Sequence, residues 1–98
     1  MAQINITDNS TMQFEATIVG RDSIGQKHCS YKITGVIDKT GGSAAIINNV
    51  NETIIAESEE SWVSTVLIDN QALRVRCTGE AATTIRWTAS IYTAEMEY

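Results

Sequence analysis

The sequence predicts an all-β protein: a small antiparallel β-sandwich of about seven strands, jelly-roll-like or immunoglobulin-like in arrangement. Short runs alternate apolar and polar residues, which places one set of side chains on a buried face and the other on an open face. Turn-forming residues separate these runs, and proline is absent. No segment keeps an apolar period of 3.6 residues long enough for a helix, so the pattern indicates strands throughout.

The first half of the chain contains four predicted strands. A connection with its turn at Gly25-Gln26 separates the first two. Residues 39–42 end in two glycines and predict a hairpin turn, because glycine reaches positive φ without steric cost. Residues 48–51 are predicted as a loop. The four strands are residues 12–19, 28–37, 43–47 and 53–56.

The second half contains three further strands, after an acidic break at residues 57–61. Residues 69–71 predict a tight turn, because Asp and Asn bond nearby backbone or tolerate positive φ. The turn signal at residues 78–81 lies between the last two alternating runs, which are predicted to close the chain as an antiparallel hairpin. The three strands are residues 62–69, 73–77 and 85–92.

The predicted closing hairpin brings three arginines together. If its two strands pair, Arg74, Arg76 and Arg86 lie on the open face of one sheet, and Trp87 faces the core with the neighbouring isoleucines. The row has two interpretations. It keeps the sheet soluble, or it forms an interface in which arginine forks meet acidic side chains of a neighbouring subunit.

The last third of the chain resembles the C-terminal module of bacteriophage and prophage tail fibres and other virion structural proteins. The similarity extends over roughly residues 12–94 and includes the Gly20-Arg21 and Gly41-Gly42 pairs and the Ser61-Trp62 step. Its most specific part is a Gly-Glu-Ala turn followed by Thr-Ile-Arg-Trp. The matching residues in that part are Leu73, Val75, Gly79, Glu80, Ala81, Thr84, Ile85, Arg86, Trp87 and Ala89.

The resemblance implies a non-enzymatic structural domain of a virion, made in the host cytoplasm. Its expected partners are further copies of itself as a homotrimer, other tail proteins and, in host attachment, a surface glycan. Residues 12–98 are predicted as the single β-sandwich domain, and residues 1–11 as an N-terminal segment and a candidate for flexibility. Self-association would add to the modest stability of so short a chain.

A carbohydrate-binding module is the alternative interpretation. Stacking of a sugar ring requires an exposed aromatic face, and three residues are candidates for such a platform: Trp62, Tyr31 and Tyr92. A module of this kind belongs to a different functional class from a self-associating virion domain, and a glycan array distinguishes the two.

Composition argues against several other classes. The net charge of −5 and the scattered basic residues argue against binding to nucleic acid or to an anionic membrane. No apolar run approaches the roughly 18 residues that membrane insertion needs. The single histidine and two cysteines do not complete a catalytic set or a structural zinc site, so no cofactor or metal is expected. Both cysteines are predicted to be reduced and buried.

Overall fold

The computed structural model describes residues 3–24, 27–58, 62–79 and 84–97. These residues form seven strands in two antiparallel sheets and no helix, which confirms the all-β prediction and is consistent with a small β-sandwich. The strands are β1 (Gln3–Asn5), β2 (Ser10–Asp22), β3 (His28–Thr40), β4 (Ser43–Glu57), β5 (Val63–Asp69), β6 (Ala72–Thr78) and β7 (Ile85–Glu97).

The larger sheet has the strand order β4-β3-β2-β7, and the smaller has the order β1-β6-β5. The strands β2, β3 and β4 follow one another along the chain, and β7 returns to lie beside β2. This is a Greek key, into which the β5–β6 hairpin is inserted as part of the opposite sheet. A constant-type immunoglobulin sandwich does not hold three consecutive strands in one sheet, so the strand order here differs from that arrangement.

The predicted closing hairpin is wrong. Strand β6 pairs with β1 and β5, whereas β7 pairs with β2 in the other sheet, from Ser10 opposite Glu97 to Asp22 opposite Ile85. The chain therefore passes from one sheet to the other between β6 and β7. Alternation indicates which face of a strand is buried but does not identify the strand with which it pairs. In the structure, all 13 residues of β7 pair with β2.

Two predicted boundaries also need correction. The segment 1–11 contributes β1, and Ile6 is part of the core, so residues 3–6 belong to the sandwich. The two short strands predicted on either side of residues 48–51 are one strand, β4. It accommodates extra residues through register shifts opposite β3, with Asn48 at a φ of 58°. The prediction missed one strand and divided another into two, so the predicted number of about seven strands agrees with the seven observed.

The two predicted tight turns that the structure describes are present. Gly41 and Gly42 have φ angles of 62° and 79° between β3 and β4, and Asn70 and Gln71 have φ angles of 53° and 63° between β5 and β6. Two consecutive positive φ angles match the right-handed twist of the strands that such a loop connects. The predicted turn at Gly25-Gln26 lies outside the described residues.

The core lies between the sheets and is formed by alternate residues of the long central strands. Each large apolar side chain buried there contributes on the order of 1.5–3 kcal/mol. Trp87 packs against this cluster but is only partly buried, because β7 is at the edge of its sheet. The buried members are Ile6, Met12, Phe14, Ala16, Ile18, Cys29, Tyr31, Ile33, Ile37, Trp62, Leu73 and Val75.

Candidate interaction surfaces

The three predicted interface arginines do not form one row. Arg74 and Arg76 alternate with buried residues of β6 and are exposed on the outer face of the smaller sheet. Arg86 is exposed on β7, in the larger sheet. Because the two sheets face each other across the core, their outer faces point in opposite directions. The predicted shared face is therefore wrong, and its failure follows from the crossing between β6 and β7.

Arg74 has partners within its own sheet. Its Nε donates to Oε1 of Gln3 at 2.9 Å, and its Nη1 lies 2.9 Å from Oδ2 of Asp69. The side chain therefore joins β6 to both neighbouring strands. The ion pair is nearly half exposed and contributes at most about 1 kcal/mol. Arg76 makes no ion pair with any residue in the described part of the chain and is the simpler solvated side chain.

Two of the three proposed sugar-stacking residues are buried. Trp62 is 1% exposed and Tyr31 is 2% exposed, so neither ring presents a face to a ligand. Tyr31 shares the inward parity of β3 with Cys29 and Ile33. Trp62 lies just before β5 and packs against Trp87, with ring centroids 5.8 Å apart. The platform prediction is therefore wrong for these two residues, whereas Tyr92 is 64% exposed on β7.

The Tyr31 hydroxyl connects the two sheets. It donates to Oε2 of Glu57 at 2.6 Å and lies 2.9 Å from the carbonyl oxygen of Trp62. One hydroxyl has one hydrogen, and the shorter distance and the carboxylate favour Glu57 as the acceptor. The contact holds the end of β4 beside the start of β5, where the chain passes between sheets. Burial, followed by this hydrogen bond, raises the pKa of Tyr31 far above its ordinary value of 10.0.

Alkaline pH is expected to destabilise the protein through Tyr31. Because the pKa is raised on folding, the neutral phenol contributes stability that is complete below about pH 10 and is lost as pH rises towards the folded-state pKa. The loss is about 1.4 kcal/mol per pH unit above the unfolded-state value. Urea titrations at about pH 8 and pH 11 measure it. Tyr31→Phe should show a smaller loss between the two pH values, and an equal loss would contradict the prediction.

The cysteines lie inside the sandwich rather than at its surface. Cys29 is 2% exposed, and Cys77 is partly buried with its Sγ 3.5 Å from Oγ of Ser64. Both are free thiols in the structure. Burial raises the pKa of each thiol above 9.0, so neither has the depressed pKa of a nucleophilic cysteine.

The two edges of the larger sheet differ. Strand β4 has two irregularities in its pairing with β3, whereas β7 pairs with β2 in continuous register over 13 residues. Residues 87–94 of β7 contain no charge, proline or glycine. Bulges, charges and prolines are the usual devices that prevent an edge strand from pairing with another chain. Along this part of β7 those devices are absent, so the β7 edge is the open strand edge of the larger sheet.

The β7 edge also exposes apolar surface. Four residues of its inner face pack against the core but are only half-buried: Ile85, Trp87, Ala89 and Ile91. On its outer face Tyr92 is 64% exposed and Met96 is 75% exposed. Sequence reasoning assigned this run to a closing hairpin and therefore did not identify it as an edge. The sequence feature that could have indicated an edge open to pairing is the uncharged stretch at residues 87–94.

The clefts of the described residues are shallow and contain no catalytic group of side chains. One lies between β2 and β3 and is lined by Asn9, Thr11 and Asp38, among others. Within the described ranges no group of three or more His, Cys, Asp or Glu residues could hold a metal ion. The described residues also include no helix that is long and apolar enough to cross a membrane.

Comparison with known proteins identifies no relative: no protein family, curated protein or solved structure matches this chain. What the fold and its surfaces define is a class, a small Greek-key β-sandwich in which β7 is an edge strand open to pairing. Function is therefore argued from that edge and from the outer faces of the two sheets.

Proposed function

We propose that this chain is a non-enzymatic structural domain of a bacteriophage virion, in a tail fibre, tailspike or related appendage, and that it acts by self-association. The observation that carries the proposal is the β7 edge, which pairs with β2 in regular register over 13 residues and, within residues 87–94, lacks the charges, prolines and bulges that block strand pairing. A second strand placed there satisfies the outward backbone groups of β7 and covers its half-buried apolar residues.

The virion assignment rests on the resemblance of residues 12–94 to phage tail modules. Of the residues that carry its most specific part, Leu73 and Val75 belong to β6 and Ile85, Arg86, Trp87 and Ala89 to β7, and so to both sheets, whereas Glu80 and Ala81 lie outside the described residues. Its partners are other copies of the chain and other tail proteins, and its location is the virion, after synthesis in the host cytoplasm. Mass spectrometry of purified particles tests this. The chain should be retained with the particles, and its presence in the lysate alone would reject the assignment.

We propose a homotrimer as the assembled form. Three-fold symmetry requires a heterologous contact, in which the β7 edge of each copy meets a different surface of the next. Two β7 strands that pair with each other would instead form a two-fold dimer. Sedimentation equilibrium distinguishes these arrangements. A mass of three chains is expected, a mass of two would reject the trimer, and a monomer at tens of micromolar would reject self-association.

Replacement of Ser90 by lysine is expected to dissociate the assembly. Ser90 is exposed in the middle of β7, and a lysine there introduces the charge by which natural edge strands avoid pairing. Asn51→Lys is the matched control. Both positions are exposed on an edge strand opposite a threonine of the central pair, Thr17 for Ser90 and Thr34 for Asn51. The Ser90 variant should sediment as a monomer and the Asn51 variant as the wild type. Assembly of both would remove β7 from the interface.

For host attachment through a glycan, Tyr92 is the one proposed stacking residue whose ring is exposed. Its exposed ring lies beside a cleft lined by Gln13 and Glu15, whose side chains carry hydrogen-bonding oxygens. Tyr92→Ala should remove any glycan-array signal of the wild type. The burial of Trp62 and Tyr31 leaves the carbohydrate-binding module without the rest of its proposed platform.

A further inference from the structure

Three basic side chains lie in a single line across the larger sheet. Arg21 of β2 is directly opposite Arg86 of β7 on one side and directly opposite His28 of β3 on the other. Directly opposed residues of antiparallel strands point to the same face, with Cβ atoms about 4.5–5.5 Å apart. All three residues are exposed. We call this line of Arg86, Arg21 and His28 the basic rung.

The basic rung is not explained by ion pairing. Like charges directly opposite each other destabilise a strand pair. In contrast to Lys32, which pairs with Glu15 at 3.1 Å, Arg21 and Arg86 make no ion pair with any described residue. Glu15 itself lies six residues before Arg21 on β2, about 20 Å away. Among the residues that the structure describes, the positive charge of the two arginines at this end of the face therefore has no ion-pair partner.

The surroundings of the basic rung provide further polar groups. A cleft at this end of the sheet is lined by Arg21, Arg86, Asp22 and Ser23. Asp22 is 5% exposed and has the inward parity of β2, opposite to that of Arg21. Ser23 is exposed, and its backbone N–H donates a hydrogen bond to the carbonyl oxygen of Thr84. This hydrogen bond fixes the end of β2 beside the start of β7.

We propose that the basic rung is a binding site for a tetrahedral oxyanion, a phosphate or sulfate group. The guanidinium groups of Arg21 and Arg86 present planar forks of donors that match the oxygens of such a group, and His28 adds a donor on the third strand. Three strands span about 10 Å, which fits one phosphorylated or sulfated group rather than an extended polyanion. A bound dianion also relieves the repulsion between the two arginines. Arg86 lies on β7 but outside the uncharged stretch at residues 87–94 that is proposed for self-association.

Inorganic phosphate is the probe for the first test. Chemical shifts of the arginine Nε–H groups and of the backbone amides are followed by NMR during titration at constant ionic strength, with chloride as the reference anion. Shifts are expected at Arg21, Arg86 and Ser23. Arg21→Gln and Arg86→Gln should each weaken phosphate binding by about fivefold to tenfold, the effect of one exposed charged hydrogen-bonding group. The same saturable shifts with chloride as with phosphate, or no shift with phosphate, would overturn the proposal.

Arg76→Gln is the matched control, because it removes one exposed arginine of the opposite sheet that makes no ion pair with a described residue, and it changes the net charge equally. Its phosphate affinity should equal that of the wild type. Equal weakening in all three glutamine variants would indicate a non-specific effect of net charge and reject the site. Arg21→Lys, which keeps the charge but loses the fork, should bind with intermediate affinity.

Thermal unfolding provides a second readout that also covers variants of altered stability. A ligand that binds the folded state raises its Tm by mass action. Phosphate should therefore raise the Tm of the wild type and of Arg76→Gln relative to chloride, and raise it less in Arg21→Gln. Equal phosphate-induced increases in Arg21→Gln and the wild type would reject the site. Glucose 6-phosphate and phosphatidylglycerol vesicles then distinguish a sugar phosphate from a lipid headgroup as the source of the oxyanion.

Discussion

Replacement of Trp62 by alanine is expected to lower the free energy of unfolding by about 3–5 kcal/mol, the usual effect of emptying a large aromatic site. Trp62 is 1% exposed and packs against Trp87 between the sheets. Its carbonyl oxygen lies 2.9 Å from the Tyr31 hydroxyl, at the point where the chain enters β5. The cavity would therefore open where the two sheets are joined. Urea titration of both proteins measures the difference.

Two further variants make this prediction specific. Trp87→Ala should have a smaller effect, because the Trp87 side chain lies on an edge strand and is only partly buried. Trp62→Phe should also have a smaller effect. The Trp62 Nε1 is buried without a hydrogen-bond partner among the described residues, so phenylalanine removes an unsatisfied donor as well as ring volume. A larger loss for Trp87→Ala than for Trp62→Ala would contradict the assignment of Trp62 as the central aromatic residue.

Replacement of Gly35 by alanine is expected to destabilise the protein by about 1–3 kcal/mol, the usual cost of overpacking a core. A Cβ atom at Gly35 would lie 2.9 Å from Cζ of Phe14 and 3.1 Å from Cγ1 of Val50. Phe14 is 1% exposed and directly opposite Gly35, so its ring has no free space into which to move. Denaturant titration of the wild type and the variant tests this.

A compensating substitution distinguishes this steric explanation from a loss of local chain flexibility. Phe14→Leu removes ring atoms beside Gly35 and should itself be destabilising. In combination with Gly35→Ala, however, the two changes should be less than additive, because the new methyl group occupies part of the space that the ring leaves. Strict additivity would show that the Gly35 variant is not destabilised by contact with Phe14.

Self-association and the basic rung lead to separable results. Loss of assembly in Ser90→Lys is expected to leave phosphate binding intact, because Ser90 is four residues from Arg86 along β7, about 13 Å away. Loss of phosphate binding in Arg21→Gln is expected to leave the sedimenting mass unchanged, since Arg21 lies on the central strand β2. Each proposal therefore succeeds or fails by itself.

The sequence by itself determined the fold class and most faces of the strands. Period-two alternation is set by the geometry of each extended chain, so the inward parity of Phe14, Tyr31 and Leu73 could be predicted without knowledge of any partner. Local turn chemistry determined two of the hairpins in the same way, through paired positive φ angles at Gly41-Gly42 and Asn70-Gln71. These features depend only on neighbouring residues.

Only the tertiary structure decided which strands pair. The strand pairing in turn determined which candidate residues lie together. The turn signal before β7 is compatible with a hairpin or with a crossing between sheets, and the long pairing of β7 with β2 decides for the crossing. That choice separated Arg86 from Arg74 and Arg76 and placed it opposite Arg21, which is 65 positions away in the chain. It also made β7 an edge. Strand order depends on the packing of distant segments, and periodicity within one strand carries no information about it.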